Sequence, residues 1–452
     1  MTERVDVVVV GLGPGGEAAA GSLAQAGLSV VAVDGRLCGG ECPFWGCVPS
    51  KTMIRAGNAL AEGRRVPGLA GQASVVADWA PVAARVRAAT RDWDDTVPVE
   101  RLESHGARFV RGWGRLEGPG RVVVGDRDFE ATTAVLLNPG TAPRVPPIPG
   151  LAETPYWTNR DAIEVDHLPR SLAVLGGGAI GLELGQLFSR FGTEVTVIEG
   201  APRLVALEEP ESSALITAVL EREGVRVLTS SSAAAVTYRD GHFGVELEGA
   251  EPVRAEQLLV ATGRQTDLAG LGVASIGLDD QARTIPVDGR LRVVPGVWAI
   301  GDATGKGAFT HVSMYQSAIA VDDILGREPV EADYKALPRV TFTDPEIGSV
   351  GLTEAAARAD GIDVRTGQVD LVDSTRGWIH GPGGDGLIKV VEDAGRGVLV
   401  GATSIGPMGG EVLGLLALAV HAEVPTVRLR QMIYAYPTFH RAIETALADL
   451  GS

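Results

Sequence analysis

Two segments of this chain run strand, Gly-rich turn, helix, strand, and each carries GxGxxG directly after its first strand. The region after Pro338 carries no such fingerprint. These observations predict an α/β protein with two Rossmann-like dinucleotide-binding domains and a C-terminal α+β domain. The expected boundaries are 1–148 for the first part of the first nucleotide domain and 149–266 for the second nucleotide domain. Residues 267–335 would complete the first, and 336–452 would form the C-terminal domain.

The first unit is VDVVVVGLGPGGEAAAGSLAQAGLSVVAVDG, with Gly11, Gly13 and Gly16 in the turn and Asp34 ending the second strand. Glycines let the backbone turn tightly and approach a pyrophosphate, whose charge faces a helix N-terminus. An acid about 20 residues further on accepts the ribose hydroxyls. A lone GxGxxG signals little, and glycines also serve plain tight turns. Here a strand precedes, a helix follows and an acid stands at the right distance, which favours nucleotide binding. The second unit, SLAVLGGGAIGLELGQLFSRFGTEVTVIEG, repeats the pattern with Gly176, Gly178, Gly181 and Glu199. Since the second copy keeps every required residue, two dinucleotides are expected.

The stretch 107–140 alternates and turns like an antiparallel sheet, and the Pro-rich APRVPPIPG reads as the linker out of the first domain. AEQLLVATGRQTD closes the second unit. GVWAIGDATGKGAFTHVSMYQSAIAVDDIL reads as a strand ending in Gly301-Asp302, a loop and a helix. Beyond it, EVLGLLALAVHAEV is an apolar helix suited to a core or a subunit interface.

Composition narrows the function. The net charge is −17 and no basic cluster stands out, so neither nucleic acid nor an anionic membrane is an expected partner. No apolar run approaches the roughly 20 residues of a membrane helix, and the start lacks the features of a signal peptide. The expected location is cytoplasmic. Three cysteines in 452 residues make no structural disulfide framework, yet all lie between positions 38 and 47.

The cysteine segment reads GGECPFWGCVPSK. Residues five apart rise about 7.5 Å along a helix, beyond the roughly 6.8 Å limit between Cα atoms of a disulfide. Pro43 and Gly46 break that regularity. VPSKTMIRAGNAL then starts a helix with Cys47 at its N-terminus, where the dipole favours a thiolate. Three readings stay open: a redox pair, two metal ligands, or two inert buried thiols. Metal binding lacks a third or fourth ligand at suitable spacing. Free cysteine is commonly just a small apolar residue. The redox reading is favoured, with Cys38 a bland neighbour.

GGECPFWGCVPSK resembles the GGTCxNxGCxPSK segment of the pyridine nucleotide–disulfide oxidoreductases, which include dihydrolipoamide dehydrogenase, glutathione reductase and mercuric reductase. The resemblance extends through both GxGxxG units, ATGR at 261–264, GD at 301–302, FTDPEIGSVGLT and a C-terminal YPT motif. It implies FAD at the first unit, NAD(P)H at the second, and a homodimer whose C-terminal domain completes the partner's active site. Cys42 and Cys47 would form the redox-active disulfide, Cys47 beside the flavin and Cys42 as the outer thiol. Lys51 and Glu183 would pair beside the flavin ring, where a cation stabilises its reduced anionic form. Asp302 would bind the ribitol. Gly40, Gly114, Gly140, Gly263, Gly301 and Thr310 match positions that line the nucleotide sites. Glu199 favours NADH over NADPH by accepting the 2′-hydroxyl, and Arg203 would soften that preference. The substrate implied is a small disulfide or dithiol.

The C-terminal signature HxHPTxxE departs here to YAYPTFHRAIE. Tyr436 replaces the acid–base His and Arg441 replaces the Glu that orients it. A Tyr, with an ordinary pKa of about 10 against about 6.5 for His, is a poor neutral-pH base. It remains a hydrogen-bond donor, and His440 would share its face if the segment were helical. Mercuric reductase also has a Tyr at this point, but the C-terminal cysteine pair of that enzyme has no counterpart in ALADLGS. Asn138-Pro139 stands where Ala-Thr is usual, and Phe44 and Trp45 make the cysteine loop bulky, either lining a substrate pocket or packing locally. The alternatives to disulfide chemistry are electron delivery to a quinone, a metal ion or O₂, and a non-enzymatic flavoprotein within a complex.

Overall fold

A computed structural model describes residues 2–328 and 330–451. The chain forms two compact units, one of residues 1–50, 84–144 and 264–333, the other of 51–83, 145–263 and 334–452.

The first unit is built on an eight-stranded sheet. Strand Thr2–Val10 lies between Val30–Asp34 and Arg127–Leu137, parallel to both. Arg108–Arg111 extends one side and Val297–Ala299 the other, also in parallel. The antiparallel sheet expected over 107–140 forms only in part: Gly114–Leu116, Arg121–Val124 and the start of Arg127–Leu137 pair antiparallel, whereas Arg108–Arg111 and Asp128–Leu137 join the parallel sheet, because their apolar residues are covered on both of its faces. Val7, Val8 and Val9 are fully buried. Unbroken apolar runs of this kind are what a parallel sheet covered on both faces requires. Helix Pro14–Gln25 packs against helix Thr310–Ile324 so closely that a Cβ on Gly15 would lie 2.2 Å from Ser313 Oγ.

In the second unit, residues 145–263 hold a four-stranded parallel sheet in the order Arg226–Leu228, Glu194–Ile198, Ser171–Leu175, Gln257–Val260, beside a three-stranded antiparallel sheet. The C-terminal region is a five-stranded antiparallel sheet carrying helices Gly409–His421 and Ala442–Asp449. This is the α/β plus α+β composition expected from the sequence. Strand Leu387–Asp393 is buried almost throughout, yet it includes Lys389. The ammonium of Lys389 bridges Glu209, Glu211 and Glu354 at 3.1, 2.9 and 2.9 Å. Among the described residues, no helix is long and apolar enough to cross a membrane.

Candidate active site

In the first unit, the turn after Thr2–Val10 shows why three glycines are needed. Gly11 has φ +93°, and a Cβ there would lie 2.1 Å from Asn138 O. Gly13 caps helix Pro14–Gln25. A Cβ on Gly16 would reach Gly11 O at 2.1 Å, so helix and turn touch backbone to backbone. Asp34 folds back on this turn, its carboxylate accepting from the Leu12 amide at 2.7 Å and the Arg36 amide at 2.7 Å. Burial nevertheless pushes its pKa above the ordinary carboxylate value.

Gly40 meets Gly13 across this space. A Cβ on Gly40 would lie 2.7 Å from Gly13 Cα, at φ +70°. The two glycines leave a bare backbone cradle at a helix N-terminus, which fits a pyrophosphate. A Cβ on Gly114 would press Val10 Cγ1 at 2.9 Å, closing the floor of the same region. Asp302 accepts from Thr141 Oγ1 at 2.7 Å. Gly140 and Gly301 both take positive φ, and the Gly301 amide is held by Gln316 Oε1 at 2.6 Å. These donors, acceptors and bare glycines fit FAD.

The cysteine loop begins immediately after Gly40. All three cysteines are thiols here; Cys38 is buried, Cys42 half-buried and Cys47 exposed. Helix Cys47–Arg65 starts at Cys47 itself, as the Pro49 position foretold. Cys47 Sγ lies 3.5 Å from Thr310 Oγ1, at the first residue of helix Thr310–Ile324. The Cys42 thiol is pushed well above its ordinary value, first by its hydrogen bond to Cys47 and then by burial, while a hydrogen bond to Thr310 opposes this. The pair and the threonine thus form one hydrogen-bonded cluster, in which Cys42 retains its proton. Burial first, and then the charges of Glu17, Asp34 and Asp95, raise Cys38 to about 12. Phe44 is buried, and Trp93 Nε1 donates to its carbonyl at 3.1 Å, so Phe44 packs locally; Trp45 is half-buried.

Several residues that organise this region lie outside the GxGxxG fingerprints. Asn138 accepts from Ser313 Oγ at 3.2 Å through Oδ1, and its Nδ2 reaches Gly11 O at 3.3 Å. It therefore straps the Gly-rich turn to the helix of Thr310. Asp95 accepts from the Cys38 amide at 2.6 Å and takes a forked contact from Arg111. Arg264 donates to Thr141 Oγ1 and O at 2.8 and 2.7 Å, buttressing the partner of Asp302. Only local oddities in the sequence, such as Asn-Pro-Gly in place of the usual tripeptide, hint at such roles.

In the second unit, Gly176, Gly178 and Gly181 repeat the first turn. Gly176 has φ +111°, Gly178 caps helix Ala179–Arg190, and a Cβ on Gly181 would lie 2.1 Å from Gly176 O. Glu199 accepts from the Gly177 amide at 2.6 Å and the Ala201 amide at 2.7 Å, as Asp34 does in the first copy. Gly263 takes φ +107°. Lys51 Nζ donates to Glu183 Oε2 at 2.7 Å. Glu183 Oε1 accepts from the Phe342 amide at 2.8 Å, and the ammonium lies 4.6 Å from the Phe342 ring centroid. Phe342, the first residue of FTDPEIGSVGLT, completes a tight seat for the lysine, a role the sequence did not reveal.

Tyr436 lies in a turn, not a helix; the helix begins only at Ala442. The shared face expected for Tyr436 and His440 is therefore not formed, because Pro437 follows Tyr436 directly and turn geometry prevails through His440. His440 instead lies 6.2 Å from Tyr434, ring to ring. The Tyr436 hydroxyl donates to Thr375 Oγ1 at 3.1 Å, and the Arg441 guanidinium lies 5.4 Å from its ring centroid. Arg441 also pairs with Glu444. Among the described residues, no group of three or more His, Cys, Asp or Glu side chains could hold a metal ion.

Residues 5–318 match the family model described as pyridine nucleotide-disulphide oxidoreductase, and residues 337–447 match that family's dimerisation domain. The dihydrolipoyl dehydrogenase of Thermus scotoductus is 32% identical, over 98% of this chain and 97% of its own. The mercuric reductase of Streptomyces lividans is 33% identical, over 99% of this chain and 96% of its own. Among solved structures, LpdA from Mycobacterium tuberculosis aligns with a TM-score of 0.86 at 26% identity, covering 99% of this chain and 100% of that one. The HOCl-induced flavoprotein disulfide reductase RclA from Escherichia coli aligns at 0.86 and 25%, covering 98% and 99%.

Proposed function

Because the chain belongs to the pyridine nucleotide-disulphide oxidoreductase family, we propose that it passes electrons between NADH and a small disulfide or dithiol through Cys42 and Cys47. The observation that carries this reading is the cluster of two thiols and the Thr310 hydroxyl beside a glycine cradle fitted to FAD. Bound FAD supplies the two-electron relay between the nicotinamide and the cysteine pair. Gly13, Gly16, Asp34, Gly40 and Asp302 would hold it, with Gly114, Gly140, Gly301 and Thr310 lining its site.

In the reducing direction, Cys42 passes its thiol proton through the hydrogen bond to the Cys47 thiolate, and the Cys42 thiolate so formed attacks the substrate disulfide. One sulfur bond breaks as the mixed disulfide forms, and the first substrate thiolate leaves. Cys47 then attacks Cys42, which releases the second and closes the Cys42–Cys47 disulfide. NADH returns two electrons and a proton to reopen that bond, and a second proton comes from water. Thr310 donates a hydrogen bond to the thiolate that persists between these steps. Lys51, seated by Glu183, holds a positive charge for the reduced carrier.

The family's dimerisation domain supports a homodimer, in which Tyr436 would serve the site of the other copy. A phenol there supplies a hydrogen bond rather than a base, so the leaving thiol has to depart with little help. That favours a disulfide whose thiols are acidic, and disfavours lipoamide and glutathione disulfide. NADH is favoured over NADPH because Glu199 would repel a 2′-phosphate. Arg203, the nearby cation, is committed to the Val205 and Ala206 carbonyls at 3.4 and 2.7 Å.

A metal ion is the second reading, favoured by the mercuric reductase relative and by the tyrosine at 436. The Cu(II) complex of RclA belongs to the same comparison. NADH consumption against disulfides of graded thiol acidity, metal ions and quinones tests both. Disulfide turnover should rise as the leaving thiol becomes more acidic and fall at least about a thousandfold in Cys42→Ala. Turnover of metal ions or quinones that survives in that variant, with none on disulfides in the parent, would favour the second reading. Brisk turnover of lipoamide or glutathione disulfide would overturn the substrate assignment.

A further inference from the structure

The turn between helices Ala80–Thr90 and Thr96–Ser104 adopts a backbone that L-residues avoid. Arg91, Asp92 and Trp93 follow one another at φ +54°, +50° and +57°. In that left-handed region a Cβ crowds the neighbouring carbonyl, and bulky residues such as Arg and Trp rarely enter it. Glycine would enter it freely, yet a chain with 60 glycines places none here. Backbone in so unfavourable a form persists only where its surroundings hold it, and such strain gathers at functional sites.

The side chains that leave this turn explain the choice. Trp93 Nε1 donates to the Phe44 carbonyl at 3.1 Å, and Asp95, two residues on, accepts from the Cys38 amide at 2.6 Å. Phe44 ends the short helix Glu41–Phe44, which carries Cys42, and Cys47 opens the next helix. One segment thus grips the cysteine loop at its start and again between Cys42 and Cys47. Both Phe44 and Asp95 are buried, where a hydrogen bond meets less competition from water.

These contacts are made while Cys42 and Cys47 are thiols in hydrogen-bond contact. A disulfide draws the sulfurs to about 2.05 Å, closer than hydrogen-bonded thiols approach. The helix of Cys42 therefore has to shift as the bond closes, against the hold on its last carbonyl. We propose that Trp93, aimed by the left-handed turn, is a positioning residue that keeps the Cys42 helix in its dithiol place and so makes the pair a stronger oxidant. This rests on the reading of Cys42 and Cys47 as a redox pair.

The midpoint potential of the pair in the full-length, flavin-loaded protein tests the assignment. Two electrons and two protons pass between the pair and a dithiothreitol buffer, and alkylation followed by mass measurement counts the thiols at each potential. Trp93→Phe keeps a flat ring but loses the N–H. Its dithiol–disulfide equilibrium should move about tenfold toward the disulfide, a midpoint about 30 mV more negative. Trp93→Tyr, which puts a donor back on a flat ring, should recover part of that shift. Arg91→Gly keeps Trp93 and accepts the left-handed φ, so its midpoint should match the parent's. An unchanged midpoint in Trp93→Phe would overturn the proposal. So would equal shifts in Trp93→Phe and Arg91→Gly, since the turn and not the indole N–H would then set the potential. A parent chain whose two thiols never close across the titration would instead overturn the redox reading itself.

Discussion

The cysteine loop and the C-terminal turn around Tyr436 are expected to serve the same chemistry, yet they are built on opposite principles. In the loop, the backbone itself leaves no choice. Gly40 faces Gly13, a Cβ on Gly46 would come within 3.1 Å of Glu41 O, Phe44 is buried, and the Cys38 amide is gripped by Asp95. In the turn, Tyr436 is 65% exposed and donates a single hydrogen bond, to Thr375. Arg441 rests over its ring and pairs with Glu444. Where close backbone approach dictates residue type, the family pattern persists. Where function hangs on an exposed side chain, one exchange changes the chemistry without disturbing the fold.

The sharpest division within the loop is between its thiols. Folding raises Cys38 from 9.0 to about 12, chiefly by burial. Iodoacetamide at pH 8 should therefore label Cys38 about a thousandfold more slowly than an ordinary thiol, while the exposed Cys47 of the reduced protein is labelled first. Peptide mapping after timed alkylation reads this directly, and equal labelling would erase the contrast. A raised thiol value also means that this contribution to stability is whole below pH 9 and fades as pH climbs toward about 12.

The next largest effect concerns the backbone. Gly40→Ala places a Cβ 2.7 Å from Gly13 Cα at φ +70°. It should cost about 2–4 kcal/mol in denaturant unfolding. A loss below about 0.5 kcal/mol would show that the loop has more freedom than its contacts indicate. At the other end of the comparison, Tyr436→Phe should cost no more than about 1 kcal/mol, as expected for one exposed hydrogen bond. Tyr436→His, by restoring a base, should speed reduction of disulfides with weakly acidic thiols about tenfold. If it gives no gain, the missing base does not limit turnover.

Much of this was legible in the sequence because glycine patterns report backbone geometry. Both GxGxxG turns, the acids at Asp34 and Glu199, and the helix start at Cys47 follow from local spacing. Lys51 and Glu183 were reachable only through family resemblance, since nothing local pairs residues so far apart. Beyond the oddity at Asn138-Pro139, nothing in the sequence marked the supports. Asn138 on Ser313, Asp95 on the Cys38 amide and Trp93 on the Phe44 carbonyl are contacts between segments remote in sequence. Their side chains belong to types that occur just as readily on a surface. The helical spacing from Tyr436 to His440 misled because periodicity cannot reveal that a turn persists to Arg441.

Lys389 lies under strand cover with Glu209, Glu211 and Glu354 around its ammonium. No one of these four positions can drift by itself. Losing the cation leaves buried Glu209 and the partly exposed Glu211 and Glu354 without their counter-ion, and losing one acid unbalances the rest. The natural unit of variation is therefore the quartet, and across relatives its four columns should mutate in concert or hold still together.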